Sequence, residues 1–139
     1  MTVKFRGLRL DNKQWAYGYP FETIEGKWYI IKLKVSLYTI GQAILIDLFP
    51  RPFVKDFVEV DPTTIGMFTG LLDKNGNEIY GAVGEKGGDI VSDYGNILCI
   101  RNLIEDTYWL LDRIRTGAEI EIIGSVALNP ELMEQKNAD

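Results

Sequence analysis

The stretch from Val58 to Tyr80 constrains this chain more than any other. Residues 54–60, which end in Val58-Glu59-Val60, alternate apolar and polar, and Asp61-Pro62-Thr63-Thr64 follows as a turn with proline where φ near −65° is wanted. Residues 65–71 return as a strand. Asp73-Lys74-Asn75-Gly76 is a turn of the Asn-Gly kind that sets hairpin register, and Glu78-Ile79-Tyr80 begins the next strand. Period-two alternation broken by such turns specifies antiparallel sheet.

The same pattern runs through most of the chain. Residues 3–10 alternate apolar and basic with an interruption at Gly7, and a turn at Asp11-Asn12-Lys13-Gln14 leads into Trp15-Ala16-Tyr17-Gly18-Tyr19. Phe5, Trp15, Tyr17 and Tyr19 are expected to meet across these strands. Residues 21–24 and 28–33 form the arms of a second hairpin. Residues 35–48 favour a strand with a break at Gly41. Two prolines in Phe49-Pro50-Arg51-Pro52-Phe53 make a connector, so one domain is expected, with a division into lobes 1–49 and 54–139 joined at 50–53. The glycines at 81, 84, 87 and 88 predict a mobile loop, and strands follow at 89–91, 97–100 and 119–126.

Only 102–115 has helical spacing. Ile104, Tyr108, Leu111 and Arg115 form one stripe, and Leu103, Thr107, Leu110 and Ile114 the next. Acids open this segment and arginines close it, which suits the helix dipole. Asn129-Pro130 opens a short C-terminal helix. The expected fold is therefore mainly β, a β-rich α+β chain. It is a small barrel or paired twisted antiparallel sheets, with one helix near 102–115 and a short terminal helix.

Chemistry is narrowed by what is missing. The 139 residues include no histidine and a single cysteine, Cys99, inside an apolar run. Imidazole-based nucleophilic catalysis and zinc sites of several Cys or His are excluded. No apolar run reaches the ~18 residues of a membrane span, and no signal-peptide core follows the N-terminus, so a cytoplasmic protein is expected. Neither catalytic nor metal residues nor a cofactor are assigned. The loop 81–88 lacks the Gly-Lys-Ser/Thr of a phosphate loop. Glu85, Asp89 and Asp93 are a weak cation set, more simply read as solvated surface.

Charge is divided unevenly. Residues 1–55 hold nine basic and four acidic side chains, and residues 56–139 hold six and sixteen. Lys4, Arg6, Arg9, Lys32 and Lys34 interleave with Trp15, Tyr17, Tyr19, Trp28 and Tyr29. Cations among aromatics on a small sheet can hold single-stranded nucleic acid. The helix offers a second surface, with Leu103, Tyr108, Trp109, Leu110 and Ile114 as candidates for an oligomer interface.

Three segments resemble the YopX-like family, small proteins carried by phages and prophages. They are Lys4-Phe5-Arg6-Gly7 with Trp15-Ala16-Tyr17-Gly18-Tyr19; Val60-Asp61-Pro62 through Asp73-Lys74-Asn75-Gly76-Asn77-Glu78-Ile79-Tyr80; and Ile123-Gly124-Ser125 with Asn129-Pro130-Glu131-Leu132. Gly88-Asp89-Ile90-Val91 fits the same order. The chain departs from the pattern where 81–87 is interposed and where Ser125 stands in place of Asn. The resemblance implies a mostly β phage or prophage protein and carries over no catalytic residue. The expected function is a non-catalytic accessory protein that acts through protein contacts with itself or with a host or phage protein. Single-stranded nucleic-acid binding is the alternative.

Overall fold

A computed structural model of the chain describes residues 4–31, 34–40, 43–49 and 57–133, with backbone alone at 34–40 and 43–49. The strands are β1 (Phe5–Leu8), β2 (Trp15–Glu22), β3 (Trp28–Ile31), β4 (Lys34–Ile40), β5 (Ala43–Phe49), β6 (Phe57–Glu59), β7 (Gly66–Leu72), β8 (Glu78–Ala82), β9 (Asp89–Asp93), β10 (Asn96–Cys99) and β11 (Ile120–Ser125). The helix α1 spans Leu103–Arg115 between β10 and β11.

The described strands form three sheets, ordered β6-β3-β2-β1-β7-β8, β10-β9-β11 and β4-β5. Every pairing between them is antiparallel. The protein is thus mainly β, built on paired sheets and not on a closed barrel. The largest sheet curls far enough for one bridge, Arg9 to Val60, to join the end of β1 to the chain leaving β6. Closure stops there because Pro62 has no N–H to donate and starts a 3-10 turn over Pro62–Thr64, capped by Asp61. That turn lifts the chain away before it returns as β7 on the free edge of β1. Strands from both sides of 50–53 therefore share one sheet, while the connector lies outside the described residues.

The two faces of the large sheet differ. Ala16, Ile30, Val60 and Ile65 are buried on one face, with Phe5, Trp28 and Val58 packed against them. On the other face the register sets Arg6 beside Tyr17 and Leu8 beside Trp15, and Phe21 beside Tyr29. Alternation adds Lys4 and Tyr19 to that face. Phe5 and Trp28 point the opposite way, so they leave the aromatic set expected from sequence.

The second core lies around α1. Ile79, Val91, Ile100, Leu110 and Ile120 are fully buried, each worth about 1.5–3 kcal/mol of apolar transfer. Trp109 and Ile114 pack against this cluster. The Asn102 side chain accepts from the Glu105 N–H and caps the helix. Residues 131–133 are helical within the segment where a short terminal helix is expected, and the residues after 133 lie outside the described ones.

One carboxylate ties the Asn75-Gly76 hairpin to β11. Asp73 Oδ1 accepts from the N–H groups of Asn75 and Asn77, and Oδ2 accepts from Ile122 N–H at 3.0 Å. Burial pushes this carboxyl up, but the backbone donors outweigh it and hold its pKa below the ordinary 3.8. A depressed native pKa stabilises the fold above the unfolded value and loses that contribution as pH falls through the native one. In urea unfolding below pH 3.8, Asp73→Asn should therefore lose less stability with falling pH than the wild type does. Equal pH slopes would contradict this assignment.

Candidate functional site

The expected loop 81–88 is shorter in the structure: Gly81 and Ala82 close β8, and residues 83–88 fold back onto the chain. Its N–H groups are turned inward: Val83 and Gly84 donate to the Ile65 carbonyl, Lys86 to Thr63 and Gly87 to Gly84. A Cβ on Gly84 would overlap the Pro62 carbonyl, and one on Gly87 the Ile65 carbonyl. Glycine is needed here so that two backbones can touch. Those four N–H groups are therefore not open to a phosphate.

The loop delivers Asp89 to the seam between the two main sheets. Asp89 Oδ1 accepts from Arg6 at 2.8 Å, and Oδ2 accepts from the Tyr80 N–H at 2.8 Å. The two side chains are 6% and 3% exposed, so this is a buried ion pair. The guanidinium lies 3.9 Å from the Trp15 ring centroid and 4.5 Å from that of Tyr80. It also donates to the Gly87 carbonyl at 3.3 Å. Burial pushes the Asp89 carboxyl up, against the pull of Arg6 and the Tyr80 N–H. Burial also raises the Tyr80 phenol, reinforced by the Glu78 carboxylate.

A shallow hollow of about 260 Å³ opens beside this cluster, lined by Arg6, Trp15, Tyr17, Glu78, Ser125 and Asn129 among others. Its charged groups are already matched. Lys4 pairs with Glu78 at 2.9 Å and lies over the Tyr17 ring. Outside the hollow, Arg9 is held by both oxygens of Asp11. The structure thus gathers Lys4, Arg6, Trp15, Tyr17 and Tyr19 on one face, but with carboxylates on the cations. Lys32 lies outside the described residues, as does the side chain of Lys34.

The acidic set does not assemble. Asp89 serves Arg6, and Asp93 takes a two-bond fork from Arg113 at 2.8 and 3.1 Å, which clamps α1 to β9. Among the described residues no group of three or more His, Cys, Asp or Glu is placed to hold a metal ion.

The helix sorts its two apolar stripes cleanly. Leu110 is fully buried, and Leu103 lies against Gly81, where a Cβ would come within 2.7 Å of its Cδ1. Of the five candidate interface residues, Leu110 is therefore inside the chain's own core, and Leu103, Trp109 and Ile114 are half-buried on the side of α1 that packs against it. Tyr108 remains, at 72% exposure. Its neighbours on the stripe are Ile104 at 70% and Leu111 at 37%.

Among the described residues no helix is long and apolar enough to cross a membrane. No protein-family model, curated protein or solved structure matches the chain.

Proposed function

We propose that this chain is a phage- or prophage-encoded accessory protein that performs no chemistry. It works in the cytoplasm of a bacterial host by binding protein chains, its own among them. The observation that carries this reading is the outer stripe of α1, where Ile104, Tyr108 and Leu111 stand in solvent while the adjacent stripe is packed. A run of large apolar groups on one helix face is a contact surface in the making. The matched charges at the seam support a non-catalytic role, since a general acid or base must be free to exchange its proton. The phage setting rests on the resemblance to the YopX-like family.

The nucleic-acid alternative draws on Tyr17, 40% exposed on the same face as Lys4 and Arg6. It has less support, because phosphate binding needs cations free to replace counterions. Affinity capture from phage-carrying cells, with and without nuclease, separates the two readings. Protein partners should persist after nuclease treatment. Their loss, together with salt-sensitive binding of single-stranded DNA by the purified chain, would replace the first reading with the second.

A further inference from the structure

Asn75 is the only asparagine in the chain that is followed by glycine. It is exposed, in the turn between β7 and β8. A Cβ on Gly76 would meet nothing, so the space beside this peptide bond is open. Asn12, Asn102 and Asn129 use their side-chain oxygens to hold backbone N–H groups. The Asn75 side chain makes no hydrogen bond among the described residues. An exposed amide beside an unhindered main-chain nitrogen is the arrangement in which asparagine loses its amide without an enzyme.

We infer that Asn75 is a site of spontaneous deamidation, and that its isoaspartyl product releases β11 from the β7–β8 hairpin. In the first step the Gly76 nitrogen attacks Asn75 Cγ. The N–Cγ bond forms and the Cγ–Nδ2 bond breaks. The Gly76 proton passes to solvent, and solvent returns a proton to the departing amide, which leaves as ammonia. Water then opens the cyclic imide. Attack at Cγ gives aspartate with an ordinary main chain. Attack at the Asn75 carbonyl carbon gives isoaspartate, in which the chain runs on through Cβ and Cγ. The sum is water taken up and ammonia released, with no other reactant.

The fold acts on both the reaction and its consequence. Gly76 N–H donates to the Asp73 carbonyl at 3.0 Å, which holds both the proton and the direction of the attacking nitrogen. Asp73 Oδ1 fixes the N–H groups of Asn75 and Asn77 on either side of the reacting bond. Losing such a hold is worth about a factor of ten, so the folded chain reacts about tenfold more slowly than the unfolded one. In isoaspartate the extra main-chain atom falls between those same two N–H groups. A single carboxylate oxygen no longer spans both, and the other oxygen loses its hold on the Ile122 N–H. The second link from this turn, Lys74 N–H to the Ile120 carbonyl, reaches the same strand and is pulled away with it.

The test incubates the purified full chain at mildly alkaline pH, folded and in guanidinium chloride. Peptide mass mapping with isoaspartyl methyltransferase labelling locates the product. Isoaspartate should accumulate at position 75, about tenfold faster in the unfolded chain and at an intermediate rate in folded Asp73→Asn. In the isolated isoaspartyl form, amide hydrogen exchange at Ile122 should be about tenfold faster, with the amides of β1 and β2 as protected as before. Asn75→Asp carries the new charge on an ordinary main chain, and Asp-Gly suits the same turn, so it should leave Ile122 protected. A folded chain that forms no isoaspartate at 75 while the unfolded chain does would overturn the inference. So would an Asp73→Asn rate equal to that of the wild type, an isoaspartyl form with Ile122 still protected or with β1 and β2 exposed as well, or an Asn75→Asp variant that frees Ile122 equally.

Discussion

Replacing Asp89 with alanine should cost the fold about 3–5 kcal/mol, read as a loss of unfolding free energy in denaturant. The carboxylate holds two partners in different strands, the Arg6 guanidinium on β1 and the Tyr80 N–H on β8. Without it, a cation 6% exposed between two aromatic rings has no counter-charge, and a buried N–H has no acceptor. The pair is no large source of stability in itself, because burial opposes the ionised carboxylate. What it supplies is a single permitted arrangement of two sheets. Arg6→Met combined with Asp89→Asn removes both charges and keeps an acceptor for Tyr80. That double variant should regain most of what Asp89→Ala loses. If the double change costs as much as the sum of its parts, the two residues do not act as a pair.

Gly87→Ala should destabilise the fold by about 3 kcal/mol or more, because the new methyl would occupy the space of the Ile65 carbonyl oxygen. That approach cannot relax locally. The Ile65 carbonyl already accepts from Val83 and Gly84, and the Gly87 carbonyl accepts from Arg6. Displacing the loop would also pull Asp89 from the seam. Thermal unfolding should show a large fall in Tm for Gly87→Ala and little change for Val83→Ala, whose side chain is 57% exposed in the same loop. A tolerant Gly87 would mean that the loop is as mobile as its composition suggests.

Local features of the fold were legible from sequence. The Asn75-Gly76 turn, the Asp61-Pro62 turn, the charge-capped helix and the alternating strands all depend on neighbours close in the chain, and each stands where expected. Features that depend on distant neighbours were not. Arg6 sits on an alternating strand like any wet-face cation, and nothing near it announces a carboxylate 83 residues away. The glycines of 81–88 look alike whether they confer freedom or permit close approach, and only distant neighbours decide between the two: Leu103 at Gly81, the carbonyls of 62–65 at Gly84 and Gly87, and that of Ile100 at Gly88. Trp28 joined the aromatic set on composition, but pairing opposite Glu22 turns it onto the core face.

The helix shows the same limit at the candidate site. Two adjacent stripes, both rich in large apolar residues, gave no sign of which one would be covered. The Arg113 fork to Asp93 and the fit of Leu103 against Gly81 turn Leu110 inward, and that rotation leaves Ile104, Tyr108 and Leu111 outside. A contact surface on this chain is therefore a product of how α1 is clamped and not of its hydrophobic content alone.

The most direct measurement is photo-crosslinking in producing cells. A photoreactive phenylalanine analogue would stand at position 108, on the outer stripe, and in a control at position 24, where Ile24 is fully exposed far from α1 in sequence. Position 108 should yield discrete protein adducts, and position 24 should not. No adduct at 108, a nucleic-acid adduct there, or the same adducts at both positions would contradict the assignment of the α1 outer face as the place where this chain meets its protein partners.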